Sequence, residues 1–121
     1  MTDRPSDPTR PADLWAAVDE LWAWLETHSA HGGDTGLVLR MLKLTEEVGE
    51  VAQAVIGATG QNPRKGVTHT WDDVRGELCD VVITALVALR TLTPDTRQVF
   101  ERHLAGVVAR SPGPPAAPPL P

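Results

Sequence analysis

The sequence predicts an all-α fold, a four-helix bundle-like protomer spanning residues 11–110. Three observations carry that prediction. Apolar residues recur at helical spacing through long stretches. The breaks between those stretches fall at capping and turn-forming residues. No stretch alternates as a half-buried strand does. A chain of 121 residues fits one such domain.

The flanks carry no such pattern. Residues 1–10 hold Pro5 and Pro8 among charges and read as a disordered segment. Residues 111–121 contain six prolines and read as a polyproline-like, solvated tail.

The first helix is expected from Pro11 to His28, with Leu14, Val18, Leu21, Trp22 and Leu25 on one stripe. Trp24 falls off that stripe and is free to stack on a base or cover a subunit contact. The run from His28 to Gly33 ends the helix; His28 and His31 read as a surface loop pair. The second helix is expected to start at Asp34 or Thr35, both good N-caps, and to end at Gly57 or Gly60. A turn-rich loop from Gly60 to Gly66 follows. Thr70 caps the third helix, with Asp73 three residues on, and that helix runs to Leu92. Thr93-Pro94-Asp95 reads as the start of a fourth helix that ends near Arg110.

Bulk properties narrow the function. A net charge of −5 and a pI near 5.2 argue against a nucleic-acid polymer or an anionic membrane as partner. The N-terminus has no apolar signal region, and no apolar run is long enough to span a bilayer, so a cytoplasmic protein is expected. The single cysteine, Cys79, permits no intrachain disulfide and reads as a small buried hydrophobe.

The chemistry concentrates in two acidic words. The first is Glu46-Glu47-Val48-Gly49-Glu50 and the second is Glu77-Leu78-Cys79-Asp80. With Glu47 at zero on a helical wheel, Lys43 falls at about −40°, Glu50 at about −60° and Glu46 at about −100°. Apolar neighbours such as Val51, Leu44 and Val48 cover about +40° to +140°, so these acids lie on the shoulder of the buried stripe. After Glu77 the third helix is apolar nearly all round, which predicts burial on most sides and sets Asp80 inside that zone. Carboxylates in core-forming helices are costly unless a cation neutralises them. Between Glu46 and Asp80 the only lysine and arginine side chains are Arg64, Lys65 and Arg75, too few for a salt-bridge network. Oxygen ligands without His or Cys favour Mg²⁺, with Mn²⁺ as a substitute. A di-iron carboxylate bundle would need Glu-x-x-His on two helices, which this chain lacks.

These residues resemble the MazG-like branch of the all-α nucleoside triphosphate pyrophosphohydrolases. The resemblance rests on Glu46-Glu47-x-x-Glu50 followed by Glu77-x-x-Asp80, with Lys43-Leu44-Thr45, Val51-Ala52-Gln53-Ala54 and Val81-Val82-Ile83 around them. It covers about residues 11–110. It implies Mg²⁺-dependent hydrolysis of a nucleoside triphosphate, standard or aberrant, to the monophosphate and pyrophosphate, with water attacking the α-phosphorus. On this resemblance Glu47, Glu50, Glu77 and Asp80 are metal ligands and Glu46 handles the attacking water. Lys43, Lys65, Arg102, Arg110 and Trp71 are the expected substrate-binding residues. With no tyrosine and one phenylalanine, base recognition falls to tryptophan, histidine or backbone groups. Two alternatives remain: phosphoribosyl-ATP pyrophosphohydrolase, or a non-catalytic helical dimer that binds nucleotide and Mg²⁺. The apolar third helix also predicts a homodimer or a dimer of dimers, in keeping with the family's habit.

Overall fold

A computed structural model of the chain describes residues 13–111, 113 and 118–120. It contains four helices and, among the described residues, no strand: α1 Leu14–His28, α2 Gly33–Thr59, α3 Trp71–Leu92 and α4 Thr96–Arg110. No helix among the described residues is long and apolar enough to cross a membrane. The expected N-terminal segment, the first residues of the expected first helix and most of the proline-rich tail lie outside the described residues.

Local chemistry sets the boundaries. Asp13 Oδ1 accepts from the Trp15 and Ala16 backbone N–H groups at 2.9 and 3.1 Å, so α1 begins at Leu14. Thr70 and Asp73 form a complete capping box at the start of α3. The Thr70 backbone N–H, donating to Asp73 at 2.9 Å, holds that carboxyl below its ordinary value. The depressed value means this contact supports the fold above the ordinary carboxylate pKa and is lost as pH falls through the lowered one.

Two helix starts differ from expectation. α2 begins at Gly33, with Gly32 as N-cap, and Asp34 lies in its first turn instead of capping it. The Gly36 N–H reaches the Gly32 carbonyl at 3.2 Å, which opens the helical ladder ahead of both predicted caps. α4 begins at Thr96 after Asp95, because Thr93 closes α3 by donating its N–H to the Leu89 carbonyl. Pro94 therefore sits in the linker between two helices.

The end of α2 also shows why two glycines looked alike in sequence. Gly60 takes φ +62° and is the C-cap. Gly57 stays helical, and a Cβ there would overlap the His69 ring and the Thr68 hydroxyl, which press on it from the returning loop. The Thr68 N–H donates to the Gly57 carbonyl at 3.0 Å, pinning the loop to the helix. Gly57→Ala is expected to lower stability by about 1–3 kcal/mol through overpacking. A thermal-unfolding midpoint at or above wild type would contradict this close approach.

α2 packs most extensively on α3, and α1 also lies on α3. The small buried apolar set is Val18, Ala54, Val74, Leu86, Val87 and Ala88. Two arginines tie α1 into place. Arg40 donates to Glu26 at 2.7 Å and to Thr91 Oγ1 at 2.9 Å, linking α2 to α1 and α3. Arg90 donates to Asp19 at 2.7 Å and lies 3.8 Å from the Trp22 ring centroid.

α4 buries only its first turn, through Thr96. Phe100 meets Trp15 at 5.7 Å between ring centroids, and Glu101 to Arg110 are all exposed. The expectation that α3 is buried on most sides fails within the protomer. Leu78 is 51% exposed and Val82 56%, because α1 and α2 cover only part of an all-round apolar helix. Cys79 is exposed for the same reason, contrary to its expected burial. Asp80 is also exposed, and lies outside the core zone to which the helical wheel assigned it.

Candidate metal centre and adjoining cleft

The pairing of α2 with α3 brings the two acidic words together. One carboxylate oxygen from each of Glu47, Glu77 and Asp80 lies within 4.8 Å of the others. Burial grades across the trio: Glu47 is buried, Glu77 half-buried and Asp80 exposed. Glu77 and Asp80, three residues apart on α3, share a face one turn long, and Glu47 meets them from α2.

The electrostatics of this trio are unbalanced. Its described ion pairing is a single contact, Lys43 Nζ to Glu47 Oε1 at 3.5 Å. Glu77 Oε2 is shielded from solvent and has no hydrogen-bond partner among the described residues. A buried acceptor left without a donor costs about 1–3 kcal/mol, and more when charged. A cation removes both problems at once. Ligands to one Mg²⁺ sit about 2.0–2.1 Å from it, so the three carboxylates would have to draw in around such an ion to share it. An all-carboxylate donor set suits a hard divalent cation.

The other expected site residues are distributed differently. Glu50 is half-buried one turn beyond Glu47 on α2 and is not part of the close trio. Glu46 is exposed and lies 3.6 Å from Lys43 Nζ. Glu46, contributing most, and Glu47 hold the Lys43 ammonium in its charged form and raise its pKa. Lys65 lines a separate cavity of about 380 Å³ with Gln53, Asn62 and Thr68, at the C-terminal end of α2. Trp71 is an exposed residue in the first turn of α3, and Arg102 and Arg110 lie on the exposed length of α4.

Beside the acids is a feature that spacing alone did not reveal. A cleft of about 460 Å³ opens between α1, α2 and α3, lined by Trp24, Leu25, Leu39, Ile83 and Val87 among others. Lys43 belongs both to this cleft and to the acidic cluster. Ile83 and Thr84, also in the lining, stand one helical turn beyond Asp80. Lys43 is thus the side chain that links the cleft to the carboxylates. Trp24 on its wall is stacked on His28, with ring centroids 4.5 Å apart and planes 18° from parallel. The His28 Nδ1 lies 2.8 Å from the Trp24 carbonyl oxygen, which fixes the imidazole against the indole. The two histidines that read alike in sequence thus separate: His28 backs Trp24, whereas His31 lines the cleft. The off-stripe position of Trp24 was the one signal in the sequence pointing to this wall.

The chain matches no protein-family model, and no curated protein or solved structure is similar enough to it to match.

Proposed function

We propose that this protein is a metal-dependent nucleoside triphosphate pyrophosphohydrolase. The observation that supports the reading is the trio of Glu47, Glu77 and Asp80, with its unpartnered Glu77 oxygen, linked through Lys43 to an apolar cleft that Trp24 lines. The resemblance of the acidic words to the MazG-like branch supplies the reaction class. A carboxylate cluster alone fits many ions, but beside a cleft of this lining it fits a ligand with a polyphosphate at one end and a flat ring at the other.

Glu47, Glu77 and Asp80 would hold Mg²⁺ or Mn²⁺, with Glu50 one turn away as the next available carboxylate. The ion, when bound, neutralises phosphate charge and lowers the cost of negative charge developing during transfer. Trp24 offers its face to the base, and Leu25, Leu39 and Val87 exclude water around it. Lys43 carries positive charge at the junction, where the phosphates enter the acidic cluster. Glu46, exposed at the edge, accepts a proton from the attacking water. Attack at the α-phosphorus breaks the bond to the bridging oxygen, and pyrophosphate leaves.

The exposed apolar residues of α3 and α4 support a second copy of the chain as partner. Leu78 and Val82 on α3, and Leu104 and Val107 on α4, are large apolar side chains left exposed to solvent. Association of like copies buries them.

The test is a panel of standard and modified nucleoside and deoxynucleoside triphosphates, with phosphoribosyl-ATP, in Mg²⁺, Mn²⁺ or EDTA. Pyrophosphate release that requires the metal is expected. Turnover restricted to phosphoribosyl-ATP would favour the related pyrophosphohydrolase. Tight nucleotide binding without turnover would favour a binding protein instead. Trp24→Ala is expected to raise KM about ten-fold or more with less change in kcat, since stacking on an aromatic face contributes about 1–3 kcal/mol per base. An unchanged KM would remove Trp24 from the base site.

A further inference from the structure

The position of Lys43 has a consequence beyond neutralising an acid. Its Nζ lies 3.5 Å from Glu47 Oε1 and 3.6 Å from Glu46 Oε1, so one ammonium spans a metal-binding carboxylate and its exposed neighbour. Both contacts are long for charge-assisted hydrogen bonds, which run about 2.7–2.9 Å. The side chain is 52% exposed, against 11% for that of Glu47. It is thus a loosely held cation on a flexible four-carbon stem, facing a buried anion. The same side chain lines the adjoining cleft.

We propose that Lys43 is a displaceable counter-charge that couples metal loading to phosphate binding. A divalent ion and the ammonium compete for the Glu47 carboxylate. Binding the ion releases Lys43 from Glu47. Its stem already borders the cleft, so rotation about its side-chain bonds carries the ammonium to a phosphate of a bound ligand. Ion and phosphate then favour one another, because each relieves the conflict that the other creates. By linkage that coupling is reciprocal. Lys43 is a positioning residue in the ion-loading step and a direct phosphate contact afterwards. The second half of this sequence rests on the proposed pyrophosphohydrolase reading; the first half does not.

The two halves separate experimentally. Mn²⁺ alone, titrated calorimetrically into wild type, Lys43→Met and Lys43→Arg without nucleotide, reads the displacement. Loss of the competing charge is expected to tighten Mn²⁺ binding of Lys43→Met about five-fold or more, in the usual range of coupling between sites. Lys43→Arg keeps the charge and is expected to remain near wild type. At saturating Mg²⁺, Lys43→Met is expected to raise KM for the triphosphate by about five-fold or more, the opposite direction to its effect on the ion. Mn²⁺ binding in Lys43→Met equal to or weaker than wild type would overturn the proposal, as would the absence of any Mn²⁺ binding in wild type. If wild type binds Mn²⁺ but hydrolyses no triphosphate, the enzymatic reading falls, and the Mn²⁺ titration still decides whether Lys43 is displaced.

Discussion

Glu47→Gln is expected to lower metal-dependent triphosphate hydrolysis by about a hundred-fold or more, and Asp80→Asn to do the same. Charge stabilisation by a bound ion is a contribution of several kcal/mol, and each 1.36 kcal/mol is about ten-fold in rate. These substitutions are near-isosteric, so the helices persist. The effect on stability has a definite sign. Glu47 is buried within reach of two other carboxylates, and a neutral amide there removes repulsion in the ion-free protein, which offsets the loss of its long contact to the exposed Lys43 ammonium. The unfolding midpoint in EDTA is therefore expected to equal or exceed that of wild type. Wild type is expected to gain stability on adding Mg²⁺ or Mn²⁺, since an ion that binds only the folded state stabilises it by mass action. Glu47→Gln is expected to lose that gain. Full activity together with a retained metal-induced rise in midpoint would remove Glu47 from the ion site.

The second large effect concerns assembly. Val82→Glu is expected to convert the protein from a homodimer or larger assembly to a monomer at micromolar concentration. Burying a Val or Leu side chain is worth about 1.5–3 kcal/mol, and the substitution replaces that with a charge that must be desolvated. A two-fold interface counts each change twice. The dissociation constant is accordingly expected to rise about a thousand-fold or more. Sedimentation velocity reads this directly, with Thr59→Glu, on a different helix and on a polar exposed side chain, as a control expected to leave assembly unchanged. A wild-type chain that sediments as a folded monomer would contradict the interface.

Much of this arrangement was legible in the residues themselves. Thr70 and Asp73 specified the start of α3 because a capping box is a local device, complete within four residues. Gly60 ended α2 because a left-handed C-cap favours glycine. The acidic words were legible because helical periodicity alone puts Glu77 and Asp80 on one face. The starts of α2 and α4 were less so. In both places a strong capping sequence, Asp34-Thr35 and Thr93-Pro94-Asp95, was overridden by the backbone hydrogen bonds of Gly36 and Thr93. Gly57 and Gly60 looked equivalent until the returning loop was placed, since only tertiary contact with Thr68 and His69 gives Gly57 its role.

Within the site, angular reasoning on one helix did not report distance between two. It grouped Glu50 with Glu47, yet the close trio draws only Glu47 from α2. It also assigned Asp80 to the interior, because an apolar helix was taken to have neighbours on every side. Within the chain α3 packs mainly on α2, less on α1 and least on α4, which leaves Asp80, Leu78 and Cys79 exposed. The cleft was the least legible feature. Its walls come from three helices, and residues such as Ile83 and His31 acquire a shared role only when those helices pack. Trp24 was distinguished in sequence by its departure from the apolar stripe, and it lines the cleft.

The central claim joins the carboxylate trio to a specific bond cleavage, and the position of solvent oxygen in the products tests it most directly. Turnover of a nucleoside triphosphate in ¹⁸O-labelled water with Mg²⁺ is expected to yield labelled nucleoside monophosphate and unlabelled pyrophosphate, with no turnover in EDTA. Label in pyrophosphate, release of orthophosphate with a nucleoside diphosphate, or undiminished turnover in EDTA would contradict it.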